Sequence, residues 1–302
     1  MMKKNLILAA VLILLVGLAF AYQGPIKRWQ ADLGKPKNFL SAINTDKLDK
    51  IVVSGARETT LVREDAGWLV EGSKFKAADT VMTDLLEKLN KATSAQIEFV
   101  STNKNKKSDF KTDSSGTNVK FYSGGKELLS VVIGKNGPNY NSTYISQPEI
   151  DATYLLLGEN LSYVFAKDDW RDKSIMSFDK AKISKVRFQY VNREFAVEKK
   201  DDKWAVTGSK NLFLNKDKID KVISALAGLS AVNIPEQDFA PTGLDKGPII
   251  IQVTGEGIDQ TIMIGKDNGK SEFYAKNGAS DNIYLIDKTT HDALDQTIEK
   301  LK

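Results

Sequence analysis

Apolar and polar residues alternate along most of this chain, and the alternation comes twice in the same order. Leu48, Ile51 and Val53 lead to Thr60, Val62 and the segment around Trp68; later Ile183, Val186 and Phe188 lead to Phe195, Val197 and Trp204. A period of two predicts half-buried antiparallel strands. Eleven residues after each tryptophan stand Asp79 and Asn215, residue types whose side chains accept from the free N–H groups of a first helical turn. Val81, Leu85, Leu86 and Leu89 then form one apolar stripe, and Ile219, Val222, Ile223 and Leu226 another, each predicting an amphipathic helix laid on a sheet.

Beyond each helix a polar linker enters a hairpin. Val119–Tyr122 and Leu128–Ile133 flank Ser123–Lys126, whereas Ile249–Val253 and Ile262–Ile264 flank Gly255–Gly257. The glycines supply the positive φ that tight hairpin turns need. Each hairpin ends in Ile-Gly-Lys, at Ile133–Lys135 and Ile264–Lys266. The glycine-lysine stretches Gly134–Gly137 and Gly265–Gly269 are expected to be loops. Tyr144 and Tyr154 follow in the first copy and Tyr274 and Tyr284 in the second, with the same ten-residue spacing. Short helical segments around Leu161–Phe165 and His291–Leu301 are expected to close the two copies.

This duplication predicts an α+β protein of two tandem similar modules, each an antiparallel sheet with one main amphipathic helix, behind an N-terminal transmembrane helix. The expected divisions are a membrane anchor or signal segment at 1–22, a membrane-proximal neck at 23–44, repeats at 45–166 and 179–302, and a connector at 167–178. Leu6–Tyr22 is uncharged and almost wholly apolar, with Lys3 and Lys4 before it and Lys27, Arg28 and Trp29 after it. Its length is at the short end for a bilayer span. Ala19-Phe20-Ala21 also suits signal-peptide cleavage after Ala21, so anchor and cleaved signal both stand. A large domain behind such a segment is expected outside the cytoplasm.

Charge removes one class of partner. The formal net charge is +4, and the first 30 residues hold four basic groups and no acid, so the 43 basic residues less those four leave 39 against 39 acidic. The exported part is neutral, which takes away the main support for nucleic-acid binding. Cysteine is absent, excluding disulfides, thiolate metal sites and a cysteine nucleophile.

No catalytic residue, cofactor-binding residue or metal ligand is expected. His291 is the single histidine, too few for a histidine metal cluster, and reads as surface or cap structure. The pairs Asp168-Asp169 and Asp201-Asp202 read as solvated turns. Trp68 and Trp204 read as core rather than ligand platforms. Tyr140 and Tyr144, around the polar stretch Gly137–Asn141, are the candidate exposed surface for a partner.

The order of these features resembles a bacterial family called domain of unknown function 4340. The resemblance rests on the N-terminal apolar segment, Gly67-Trp68 and Trp204 with Ala78-Asp79 and its helix, Thr242-Gly243-Leu244-Asp245, the two Ile-Gly-Lys ends, and Trp170–Ile175. The first copy departs from it, with Asp109–Thr112 where Gly-Leu-Asp would fall. The resemblance implies a single-pass protein of the bacterial inner membrane with its main domain periplasmic, some members being encoded beside gliding-motility-type ABC transporter components. The expectation is therefore a non-enzymatic scaffold or accessory protein whose partners are the membrane and an ABC permease or ATPase complex. The alternative is a binding module for envelope polysaccharide or another small ligand.

Overall fold

A computed structural model of the chain describes residues 36–302 apart from 56, 202, 210 and 211, together with 14 and 15. The expected anchor apart from residues 14 and 15, most of the neck and Asp202 lie outside the described residues. Among those described, no helix is long and apolar enough to cross a membrane. The chain divides into two compact units, Met1–Trp170 and Arg171–Lys302.

In the first unit, β1 (Lys50–Ser54), β2 (Glu58–Glu64) and β3 (Gly67–Val70) precede helix α1 (Asp79–Ser94). The chain continues through β4 (Ile97–Ser101), the short α2 (Lys107–Phe110), β5 (Thr117–Ser123), β6 (Lys126–Asn136), β7 (Ser142–Ser146), β8 (Thr153–Leu157) and α3 (Leu161–Phe165). The eight strands make one antiparallel sheet in the order β3-β2-β1-β5-β6-β7-β8-β4. Alternation places Ile51, Val53, Leu61, Val119, Phe121, Val131 and Ile133 on the buried face. Met82, Leu85, Leu89 and Ala92 of α1 are buried against them, with Val81 and Leu86 at the margin. Each large side chain so buried contributes roughly 1.5–3 kcal/mol.

The second unit repeats this plan with β9 (Ile183–Gln189), β10 (Glu194–Lys200), β11 (Lys203–Val206), α4 (Lys216–Ala227), β12 (Ile249–Gly255), β13 (Ile258–Asp267), β14 (Glu272–Asn277) and β15 (Tyr284–Asp287). Its antiparallel order, β11-β10-β9-β12-β13-β14-β15, matches the first seven strands of the other sheet one for one. The counterpart of β4 is reduced to one bridge between Asn233 and Leu285. Pro235 lies two residues on; it has no N–H to donate and disfavours a continuing ladder. Ile219, Val222, Ile223 and Leu226 are all buried, as their spacing predicts.

Three sequence expectations need correction. Asn215 caps α4, its Oδ1 accepting from Lys218 N at 3.2 Å, but Asp79 is already the first helical residue of α1 and Ala78 occupies the cap position without a side-chain bond. The second repeat carries one more residue between tryptophan and cap, so equal spacing was misleading; Asp79 acts instead as a first-turn acid facing the positive helix end. Residues 38–44 belong to the first module rather than a neck. Leu40 and Ile43 are buried, and Asn38 Nδ2 donates to Ala92 O and Ala95 O at 2.7 and 2.8 Å, satisfying carbonyls at the end of α1. The segment 167–178 is divided between the units. Trp170 O accepts from Ala78 N at 3.0 Å, while Ile175 and Phe178 N–H groups donate to Leu229 O and Ala227 O. The short helical segments expected around His291–Leu301 are present as α5 (Lys288–Leu294) and α6 (Ile298–Leu301).

Both modules close on themselves in the same way: the N–H at the cap of the main helix donates to a carbonyl near the module's end, Ala78 to Trp170 and Asn215 to Leu301 (2.8 Å). The second module has a further closure. Tyr190 Oη donates to Gln296 O at 2.7 Å and accepts from Gln296 N at 2.8 Å, and the Arg193 guanidinium covers the ring at 3.8 Å. Tyr190→Phe is expected to cost about 1–2 kcal/mol, because the Gln296 N–H loses its partner while Gln296 O keeps only the long 3.5 Å bond from Arg193 Nη2. Burial is the main cause holding the Tyr190 phenol above its ordinary value near 10. The neutral phenol is therefore the form the fold favours; its contribution is present below pH 10 and lost as pH rises through the raised value. Urea denaturation from pH 8 to 11 checks this, the alkaline loss being smaller in the Phe variant.

Candidate functional site

The family-like motifs of the second module, Thr242–Asp245 and Ile264–Lys266, meet in space. A 3-10 turn at Ala240–Thr242 ends in Gly243 at φ 68°, and the turn lays the Thr242 carbonyl on the strand at Gly265. A Cβ on Gly265 would stand 2.2 Å from Thr242 O. Thr242 is wholly buried; its Oγ1 donates to Phe239 O and accepts from Leu244 N, which fixes the turn. Opposite it, the pairing of β13 with β14 shifts register between Ile264 and Asp267. Glycine is thus required here for close backbone approach at a bulge.

The first module builds the same crossing from different residues. Lys111 takes the left-handed conformation, φ 53°, where the second module has Gly243. Phe110 O faces Gly134, where an added Cβ would stand 2.3 Å away, and β6 shifts register against β7 between Ile133 and Asn136. The departure from the Gly-Leu-Asp pattern therefore changes side chains and keeps the backbone path. A left-handed lysine is strained, whereas glycine is not. Lys111→Gly is expected to stabilise the protein by about 0.5–1 kcal/mol, read as an upward shift of the urea midpoint. In both copies the Ile-Gly-Lys segment lies within a strand, β6 or β13, and not in a loop; the bulge admits glycine without ending the ladder.

Each crossing frames a groove. That of the first module, about 360 Å³, is lined by Lys111, Ser115, Thr117, Gly134, Lys135, Asn136, Ser162 and Tyr163 among others. That of the second, about 270 Å³, is lined by Gly243, Lys246, Gly247, Pro248, Gly265 and Lys266 among others. Neither lining contains an acidic residue. Lys135 and Lys266 are equivalent, each following the motif glycine. Lys135 Nζ lies 5.8 and 6.0 Å from the centroids of Phe110 and Tyr144, whose rings are 4.7 Å apart. Lys266 lays its aliphatic stem over the turn at Gly243.

The other residues considered for chemistry stay apart. His291 stacks on Phe273 at 3.7 Å between ring centroids, with Nδ1 3.0 Å from Asp292 Oδ1. The hydrogen bond from Lys288, and after it that from His291, holds the Asp292 carboxyl below its ordinary range. Asp201 sits at a hairpin turn with φ 54°. Among the described residues no group of three His, Cys, Asp or Glu is placed to hold a metal. Trp68 and Trp204 are buried, 6% and 7% exposed, consistent with core packing. Tyr140 is 83% exposed, while Tyr144 is half-buried against Phe110.

One group escaped the sequence reading. Lys107 is only 7% exposed and lines a cavity of about 400 Å³ with Ser54, Asp113 and Asn118. Its Nζ donates to Ile150 O at 2.7 Å, so it ties α2 to the loop before β8. Its place in a lysine-rich polar run gave no periodic signal of burial. Asp113 is held below the usual carboxylate range chiefly by the Ser115 hydroxyl, with a lesser contribution from Lys107.

The profile of a family described as Domain of unknown function (DUF4340) matches residues 68–247 and again 204–302, and the chain belongs to that family. The two matches begin at Trp68 and Trp204, equivalent positions of the two modules. No curated protein and no solved structure matches the chain.

Proposed function

We propose that the chain is a non-enzymatic scaffold or accessory protein of an ABC-type envelope transport complex. In this reading Leu6–Tyr22 holds it, single-pass, in the bacterial inner membrane, with both modules periplasmic. The observation carrying the proposal is a duplicated backbone with divergent surfaces. The turn–strand crossing recurs in both modules, yet Phe110 and Lys111 of one correspond to Thr242 and Gly243 of the other. Two similar frames bearing different side chains suit the display of two contact surfaces. The family resemblance supplies the transport context, which fold alone does not.

The test is a crosslinked pull-down of C-terminally tagged full chain from native membranes, against a tag-only control. Reproducible enrichment of an ABC permease or its ATPase is the expected result. Efficient extraction with neither recovered would overturn the reading. A second reading, a binding module for envelope polysaccharide or another small ligand, is favoured by the grooves at the two crossings.

A further inference from the structure

Lysines recur in pairs at the two crossings. Each groove presents two, one from the Ile-Gly-Lys strand and one from the turn: Lys135 with Lys111, and Lys266 with Lys246. The strand lysines are equivalent between modules, but the turn lysines are not. Lys111 is itself the left-handed residue, whereas Lys246 lies three residues beyond the left-handed Gly243, to whose carbonyl its N–H donates. A pair of positive charges is thus reached from two different turn positions.

The surroundings are equally selective. Outside its first 30 residues the chain carries as many acidic as basic groups, yet no carboxylate lines either groove. Among the described residues none of these four lysines makes a salt bridge, as is true of most lysines of the chain, so their charge stays available. The strand lysines are also partly held in place, Lys135 by two rings and Lys266 by its packed stem.

We propose that each groove is a binding site for a phosphate monoester. Two ammonium groups match a charge of −1.5 to −2 at neutral pH better than the single charge of a carboxylate or phosphodiester. Lysine binds phosphate as a point charge and needs no fixed fork geometry. The volumes, about 270 and 360 Å³, leave room for the phosphate and several attached atoms. This inference rests on the ligand-binding reading and gives it a chemistry; it is independent of an ABC partner. The same phosphate could be carried by a soluble metabolite or by a lipid headgroup.

The experiment is an amide NMR titration of the full chain in phosphatidylcholine nanodiscs at low ionic strength. The probes are inorganic phosphate, glycerol 3-phosphate, sodium chloride and a neutral oligosaccharide, maltohexaose. A separate preparation replaces part of the phosphatidylcholine with phosphatidic acid. Saturable shifts at Gly134–Lys135 and Gly265–Lys266 are expected with both phosphates and not with chloride. Lys135→Ala should weaken the response of the first groove alone about tenfold, and Lys266→Ala that of the second alone, the loss of one charge-assisted contact. Lys111→Gly, which suits its backbone conformation, should weaken the first groove with the fold retained. Lys221→Ala, on the exposed side of α4, is the control and should change neither. Response to phosphatidic acid in place of soluble phosphate would assign the source to lipid; response to soluble phosphate alone would assign it to a metabolite. Shifts reproduced by chloride, or unchanged by Lys135→Ala and Lys266→Ala, would overturn the inference. Saturation by maltohexaose without phosphate would overturn it while sparing the ligand-binding reading, and silence toward every probe would count against both.

Discussion

Trp170→Ala is expected to destabilise the first module by about 4 kcal/mol, within the range for removing a buried aromatic ring. The indole is 2% exposed and ranks among the largest fully buried side chains of the protein. Its ring lies 6.5 Å from Phe165, which in turn meets Phe121 of β5 at 6.3 Å, so one aromatic chain joins the module's last residue to the centre of its sheet. The Trp170 carbonyl accepts from Ala78 N at the start of α1. Truncating the ring leaves that carbonyl in the chain but removes the packing that positions it, so loss of the helix cap should accompany the cavity. Trp170→Phe, which keeps most of the apolar volume, should recover much of the loss. Urea denaturation followed by far-ultraviolet circular dichroism measures both. A cost below 1 kcal/mol for the alanine variant would show that Trp170 does not close the module.

The contrast between what the sequence shows and what it hides follows from the range of the interactions involved. Strand and helix periods are local, so Ile51, Val53, Ile219 and Val222 announce their buried faces, and recurrence of the same order announces two sheets with one main helix each. The crossing at Gly134 and Gly265 is a contact between segments more than twenty residues apart, and each glycine alone reads as a loop. Lys111 hides its left-handed backbone because lysine carries no preference for it. Asn38 likewise reads as linker, since its value lies in reaching carbonyls 54 and 57 residues away. The grooves were illegible for the same reason: their lysines come from a turn and a strand that only the fold brings together. The loss of the eighth strand in the second module was closer to legible, with Pro235 standing where a ladder would have to continue.

Gly265→Ala should be the sharpest test of that crossing, with an expected cost of about 3 kcal/mol or more to the second module. The new Cβ would stand 2.2 Å from Thr242 O and 3.2 Å from its carbonyl carbon, and the neighbour is backbone, which cannot rotate aside. Relief requires the whole turn to lift from β13. Thr242 resists this through its bonds to Phe239 O and Leu244 N, and Leu244 is buried beneath it. Gly134→Ala, with Phe110 O at 2.3 Å, should cost the first module a similar amount. Two other glycines separate this clash from simple conformational cost. Gly257 has φ 69° but no atom within 4 Å of an added Cβ, so Gly257→Ala should cost only about 1 kcal/mol in backbone strain. Gly228 has neither a positive φ nor a close neighbour, and Gly228→Ala should leave stability unchanged or slightly raised. The order Gly265, Gly257, Gly228 in urea denaturation supports backbone contact as the origin of the Ile-Gly-Lys motif. Equal costs at Gly265 and Gly257 would assign the motif to local conformation instead, and the crossing would then be an incidental consequence of two turns that happen to lie side by side.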